Sequence, residues 1–365
     1  MQKQWIIRTV QLSLAVMLAV QGAWAEESRD ASGDKNVSAV NSWKSSVDGN
    51  WNDALKWSTG QVPGRGDSVS IINSGTYTIT VNSDVTIAGL TLGGASDLQT
   101  LSIAGGTFSL DGSGTVEGAG VLELKGGTLS GSGTLTISSR MNWLAGTMAG
   151  GGTTMIASGK TLAISGGDTK YLSWRTLDNS GTVSWTGGNI RGQDGAVFNI
   201  GAGALFDIRC DNVFYRWNNT NPIINNAGTV QKGTTTGTTS FDSTTLNNTG
   251  ELTVNSGMVQ FTGDSRVTNS ADFTAVPGGT VRFAAGSHAM EDGARFLGEG
   301  YHELTDGTFS VNASVSAQRF RMSGGTLNGA GTFTSTATFE WTGGTMSGQG
   351  QTVIPSGSVL LLSSG

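Results

Sequence analysis

Residues 126–148 read GGTLSGSGTLTISSRMNWLAGTM, and this stretch decides the fold class. Leu135-Thr136-Ile137 alternates apolar and polar side chains, the period of a strand buried on one face. Gly126-Gly127 and Gly131 flank it with turns that call for glycine's conformational range. The opening unit recurs as Gly105-Gly106-Thr107-Phe108, Gly126-Gly127-Thr128-Leu129, Ala145-Gly146-Thr147-Met148, Gly187-Gly188-Asn189-Ile190, Gly324-Gly325-Thr326-Leu327 and Gly343-Gly344-Thr345-Met346. Its spacing is about 20 residues or a multiple of that, the signature of stacked repeats.

The same alternation runs outward in both directions, in Val69-Ser70-Ile71, Ile79-Thr80-Val81, Leu101-Ser102-Ile103 and Leu162-Ala163-Ile164. A unit this short cannot bury an apolar face alone, whereas stacked units can. The expectation is an all-β chain, a right-handed parallel β-helix over residues 73–365. It would have about 20 residues per rung, roughly fifteen rungs and a length of ~70 Å. Tandem β-sandwiches, the competing architecture, repeat near ~100 residues without a shorter sub-period.

A longer period lies above the rung. Residues 126–167 slide by 198 positions onto 324–365 without a gap, with 21 of 42 positions identical, Trp143 and Trp341 among them. The second 198-residue copy stops at Gly365, opposite Gly167, where the first continues into Asp168 and Trp174. On that register the expectation is a truncated second copy and a longer natural chain.

The first 25 residues carry Lys3 and Arg8, then an apolar run from Leu12 to Val20, then Ala23-Trp24-Ala25. That is the pattern of a secretory signal peptide cleaved before Glu26, and its apolar run is too short to span a bilayer. No later stretch has spanning length, so no membrane span is expected after signal removal. Residues 26–42 are polar and aperiodic, a flexible lead-in. Without Lys3 and Arg8, 19 Lys and Arg face 27 Asp and Glu, a net charge of −8. A charge-poor, acidic surface argues against nucleic acid, which needs clustered Lys and Arg. Cys210 is the one cysteine, so no intramolecular disulfide forms.

Residues 43–72 differ from the rest: Trp43, Gly49-Asn50-Trp51-Asn52, Lys56-Trp57-Ser58, then Val62-Pro63-Gly64-Arg65-Gly66-Asp67-Ser68-Val69-Ser70-Ile71. The first rung of a solenoid has an open end and a bare strand edge that must be covered. Three tryptophans so close together suit that cap, the alternative being an aromatic sugar-binding platform. The segment resembles the module that opens the β-helical passenger of bacterial autotransporter-type adhesins. Beyond residue 72 the likeness rests on Gly- and Thr-rich repeat character alone. The resemblance implies a non-enzymatic structural or adhesin-like passenger, secreted or on the bacterial cell surface at the outer membrane, and part of a larger protein. It carries across no catalytic residue, cofactor or metal site, and that family's C-terminal membrane barrel is not in this sequence. The partners it implies are host or environmental glycans, surface proteins or further copies of itself.

A rival class is the polysaccharide-cleaving β-helix enzyme, a lyase or glycoside hydrolase. It needs converging carboxylates as an acid/base pair or as calcium ligands. Asp168, Asp178, Asp194, Asp207 and Asp211 are scattered singly. The densest polar patch, Arg209-Cys210-Asp211-Asn212 with Tyr215-Arg216-Trp217, breaks the rung pattern and predicts a loop over 205–220, where any site would lie. An ice-binding face would need Thr in register over many rungs, and the outward positions alternate among Thr, Ser, Ala, Glu and Asn. Arg65-Gly66-Asp67 reads as a turn in which Asp67 bonds backbone donors rather than as an integrin ligand. Trp143, Trp185 and Trp341 precede the same turn and predict a stacked aromatic ladder at one rung position. His288 and His302 lack partners at zinc-ligand spacing, and Cys210 lacks the His–Asx context of a nucleophile.

Overall fold

A computed structural model describes residues 40–363; the expected signal peptide over 1–25 and lead-in residues 26–39 lie outside them. Each rung contributes three short strands. Thr176–Asn179, Thr182–Trp185 and Ile190–Gln193 stand on the first, second and third faces of one such rung. One turn later Val197–Ile200, Leu205–Ile208 and Val213–Arg216 pair with them in parallel, each on its own face. Repetition of this step gives a parallel β-solenoid of about 14 turns with about 21 residues per rung. Among the described residues the only helix is the 3-10 turn Ala54–Lys56, and none is long and apolar enough to cross a membrane.

The alternation in the sequence becomes an alternation of burial: Thr182–Trp185 and Val197–Ile200 both show outward and buried residues in turn. Buried positions stack rung on rung. On the third face Phe214, Phe241, Phe261 and Phe283 succeed one another in register. Their ring centroids are 6.2, 5.6 and 5.6 Å apart. Burying one such ring contributes about 2–3 kcal/mol. The fold is therefore held by columns along the rod, each rung needing its neighbours.

The Gly-Gly corner has a local logic. The Trp185 indole N–H donates to the Gly188 carbonyl at 2.7 Å, and Trp143 donates to Gly146 at 3.3 Å. Gly188 has φ +71°, and a Cβ there would meet the Asp168 carbonyl oxygen at 2.2 Å, so only glycine closes this turn.

The aromatic ladder expected at one rung position does not form. Trp143 and Trp185 share the second face but are separated by Ile164, while Trp341 stands on the third face between Met322 and Leu362. The 198-residue copy is displaced by one face. Thr128 pairs with Thr107 and Thr147 on the third face, whereas its counterpart Thr326 pairs with Thr308 on the first. The three faces are physically alike, so the same corner unit serves at either corner.

At the N-terminal end Trp43, Trp51 and Trp57 are buried. Trp57 meets Trp43 edge-on at 5.0 Å and Trp51 at 4.8 Å, and Trp51 lies 5.3 Å from Phe108 of the first rungs. Trp57 donates its indole N–H to the Trp51 carbonyl at 2.7 Å. The lead-in ends earlier than residue 42, because Val40–Ser42 forms a strand paired with Ser68–Ser70. Asp67 accepts from the Gly64 N–H at 2.8 Å, the turn expected of this segment, and Arg65 pairs with Asp111 at 3.3 Å.

Candidate binding surface

Residues 205–220 do not form one loop. Leu205–Ile208 and Val213–Arg216 are ordinary rung strands, and Arg209–Asn212 is the corner between them. The irregularity comes next. Stacked Asn199 and Asn225 are 26 residues apart, where the flanking steps Asp178–Asn199 and Asn225–Asn247 take 21 and 22. The surplus is the corner loop Trp217-Asn218-Asn219-Thr220-Asn221-Pro222, between the third and first faces. Polar composition marked the region; register locates the protrusion.

Arg216, Asn221 and Pro222 tie this loop to its neighbouring rungs. Arg216 donates to Asn221 Oδ1 at 2.9 Å and to Asp264 Oδ2 at 2.8 Å. Asn221 donates in turn to the Asp264 carbonyl at 3.0 Å. Pro222 fills the space where a Cβ on Gly192 would sit, 2.4 Å from its own Cβ. Under the loop runs a groove of about 610 Å³, lined by Arg216, Asn219, Asn221, Asp264, Arg266 and Ser287 among others.

On the other side of the loop the same corner is aromatic. Tyr171, Arg191 and Tyr215 follow one another in register on the outward third face. The Arg191 guanidinium lies 4.6 Å from the Tyr171 ring centroid and 3.9 Å from that of Trp217. Arg191 donates to Gln193 Oε1 at 3.0 Å, while its Nε is buried without a partner. Trp174 and Trp217 are 66% and 61% exposed. Both backbones attach to the strand between them, Trp174 N–H to the Gln193 carbonyl and Trp217 N–H to Gly192.

Trp174 adopts φ +59° and Asp194 φ +56°, a region that bulky side chains rarely occupy. Asp194 accepts from the Ser173 hydroxyl at 2.8 Å, from Gln193 at 3.0 Å, and from Asn218. Ser173 is the main cause, with the Trp174 indole, Gln193 and Asn218 adding to it, that holds this carboxyl below the usual carboxylate range. The result is a charged acceptor framed by amides, beside two displayed indoles.

The other singled-out polar residues serve the framework. Asp207 pairs with Arg209 at 2.5 Å, and Asp211 with Lys232 at 2.7 Å. Lys170 is buried, its ammonium donating to the carbonyls of Gly166, Asp168 and Gly187 at 3.0, 2.8 and 3.1 Å. Burial pushes its pKa down, with Asp168 opposing. Arg175 is buried as well and bonds Thr154, Ala149 and Thr153, and burial lowers its pKa to about 10. Cys210 is buried, which raises its thiol pKa to about 11. Among the described residues no group of three or more His, Cys, Asp or Glu could hold a metal ion.

Sequence reading missed two amide ladders. On the outside, Asn199 donates to Asp178, Asn225 to Asn199 and Asn247 to Asn225 at 2.5–2.8 Å. On the inside, Asn226 donates to Asn248 and Asn248 to Asn269 at 2.6 and 2.7 Å. The signal was present as Asn225-Asn226-Ala227-Gly228 and Asn247-Asn248-Thr249-Gly250. These ladders also interrupt the threonine column an ice-binding face would need: Thr91, Thr115 and Thr136 stand in register, followed by Met155, Asp178 and Asn199. Comparison with protein-family models, with curated proteins and with solved structures finds no match for this chain.

Proposed function

We propose that this chain is a non-enzymatic, exported rod of adhesin or structural type, displayed at a bacterial cell surface and working by contact along its length. What supports this most is the register of its outward columns. Rungs stacked on buried ladders repeat each outward position along one line, and the side chains of one corner, Trp174, Asp194 and the 217–222 loop, are thereby held in a row. A stiff array of this kind gains avidity by presenting many weak contacts at once. The Trp-rich cap at residues 43–72, resembling that of autotransporter passengers, and the basic–apolar–small start of the chain fit an exported passenger.

Beads coated with the folded chain should be retained under flow on cell layers or polysaccharide-coated glass, and beads coated with the unfolded chain should wash off. Equal retention of both, or of neither, refutes the reading. Expression with export in a Gram-negative host should give a mature chain that begins at Glu26.

A further inference from the structure

We propose that the corner carrying Trp174 and Trp217 is a carbohydrate-binding stripe for an extended, uncharged oligosaccharide. This rests on the reading of the chain as a surface rod and names what the rod would hold.

Four observations converge on the stripe. The first is display. Trp174 and Trp217 are 66% and 61% exposed, while Trp43, Trp51, Trp57, Trp143 and Trp185 are all buried. Exposing so much ring forgoes the burial that holds the rest of the rod together. The second is strain. Trp174 sits at φ +59°, where glycine would cost nothing, and its indole gains no core contact in return.

The third is the chemistry between the rings. Gln193, Asp194 and Asn218 form one hydrogen-bonded set beside the indoles, and Arg191 Nε is buried with no partner. Flat aromatic faces beside planar amides and a carboxylate match a pyranose ring. Its C–H face lies on an indole, and its equatorial hydroxyls pair with amide and carboxylate oxygens. The fourth is length. Trp174 and Trp217 attach to opposite sides of one strand, so they are two rungs apart, about 10 Å at the usual strand spacing. That is the span of two linked pyranose rings, and the groove under the 217–222 loop extends the line over further rungs.

Charge selects among polymers. Arg216 is matched by Asp264, and Arg191 lies between rings and is bonded to Gln193. Arg266 in the groove is the further cation, and with Asp194 charged beside the indoles the stripe carries about one uncompensated positive charge, too few to hold an acidic polymer. A protein-docking patch would centre on contiguous apolar surface, whereas here the rings are separated by amides and a carboxylate.

The test is affinity electrophoresis of the full chain through gels containing a β-glucan, a galactan or a mannan, with polygalacturonate as the acidic comparison. At least one neutral polymer should retard the chain, equally from ~50 to ~500 mM salt. Trp174→Gly and Trp217→Ala should each weaken binding about tenfold. Trp174→Gly should also melt at a higher temperature, because it relieves the strained backbone; a tryptophan kept for stability would melt lower. Leu55→Ala, at the exposed 3-10 turn of the cap, should bind like the parent. Retardation by no neutral polymer, retardation by polygalacturonate alone, undiminished binding by both tryptophan variants, or attachment only to protein-coated surfaces would each overturn the proposal. The gel separates the two readings. Polysaccharide binding without bead retention leaves the stripe standing and removes the adhesive rod, while bead retention unchanged in the tryptophan variants does the reverse.

Discussion

Acidification between pH 6.5 and 4 should destabilise this rod through two histidines buried in its core. His288 stacks between Val267 and Phe309 and lies 4.8 Å from the Phe283 ring. Its Nε2–H donates to the Ala285 carbonyl at 2.9 Å, and its Nδ1 is buried without a partner. Burial lowers its pKa from 6.5 to about 4, against the Ala285 contact, which raises it. His302 lies against the carbonyls of Phe273 and Arg319 at 3.0 and 3.3 Å, and burial likewise lowers its pKa to about 4. Those two carbonyls favour the charged ring, but the loss of hydration outweighs them.

In the unfolded chain both rings take up a proton near pH 6.5, and in the folded chain only near pH 4. Between those values the unfolded state binds more protons, so stability falls as pH falls and is fully retained above 6.5. At 1.36 kcal/mol per pKa unit each histidine removes about 3 kcal/mol by pH 4. Urea unfolding of the parent and of His288→Leu at pH 7, 5.5 and 4.2 isolates the effect from carboxylates common to both. The variant should lose about 3 kcal/mol less over this range, and His288→Leu/His302→Leu about 6 kcal/mol less. Hydrogen exchange should place the acid-induced opening first in the rungs between Arg266 and Val311. Parallel pH profiles for parent and variants, or a native imidazole that titrates near 6.5, would refute the reasoning.

Four further outcomes follow from the framework. Lys170→Met leaves three carbonyls without their donor and should lower stability by about 2–3 kcal/mol in urea unfolding, the relief of a buried charge offsetting part of the loss. Asn248→Leu cuts the inner amide ladder between Asn226 and Asn269 and should cost about 1–3 kcal/mol. Trp51→Ala empties the cap and should cost about 3–5 kcal/mol, with exchange protection lost in the first rungs and kept near residue 300, since rungs couple chiefly to neighbours. Cys210, with its thiol pKa raised to about 11, should resist thiol reagents at pH 8 until the chain unfolds.

How much of this was legible follows from which partners carry a side chain. Leu135-Thr136-Ile137 and its kin announced strands, and the Gly-Gly-Thr spacing announced rungs, because burial alternation and positive φ both leave residue-type signatures. The face on which a corner unit falls leaves none, so sequence alone assigns Trp341 to a ladder it does not join. The polar run at 209–217 reads as a loop because sequence does not show that its charges are paired within the rung, Arg209 with Asp207, and to the next rung at the same corner, Asp211 with Lys232. The true protrusion, 217–222, shows only when the Asn-Asn-x-Gly corners at 225 and 247 set the register. Lys170 and Arg175 were invisible as core residues because most of their partners are main-chain carbonyls from other turns, such as Gly187 and Ala149. A carbonyl belongs to every residue type and so marks no position in a sequence.

The corner between the third and first faces gathers cost that the rest of the rod avoids. Of the non-glycine residues described at positive φ, Trp174, Asp194 and Ser243 lie on it, and Asp97 lies elsewhere. Each such conformation costs on the order of 1–3 kcal/mol, and glycine fills the equivalent place at many other corners. Ser243 offsets its cost by accepting from the Asp264 N–H. Asp194 does so through Ser173, Gln193 and Asn218, and Asp97 through the Gly75 N–H. The Trp174 side chain gains a polar contact with Asp194 alone, with two thirds of the residue's surface left in water. Stability alone would place glycine there. What the tryptophan adds is a displayed ring at the same corner as a second one two rungs on, offset from it by one residue in register, so the strain is spent on the surface the rod presents and not on the rod itself.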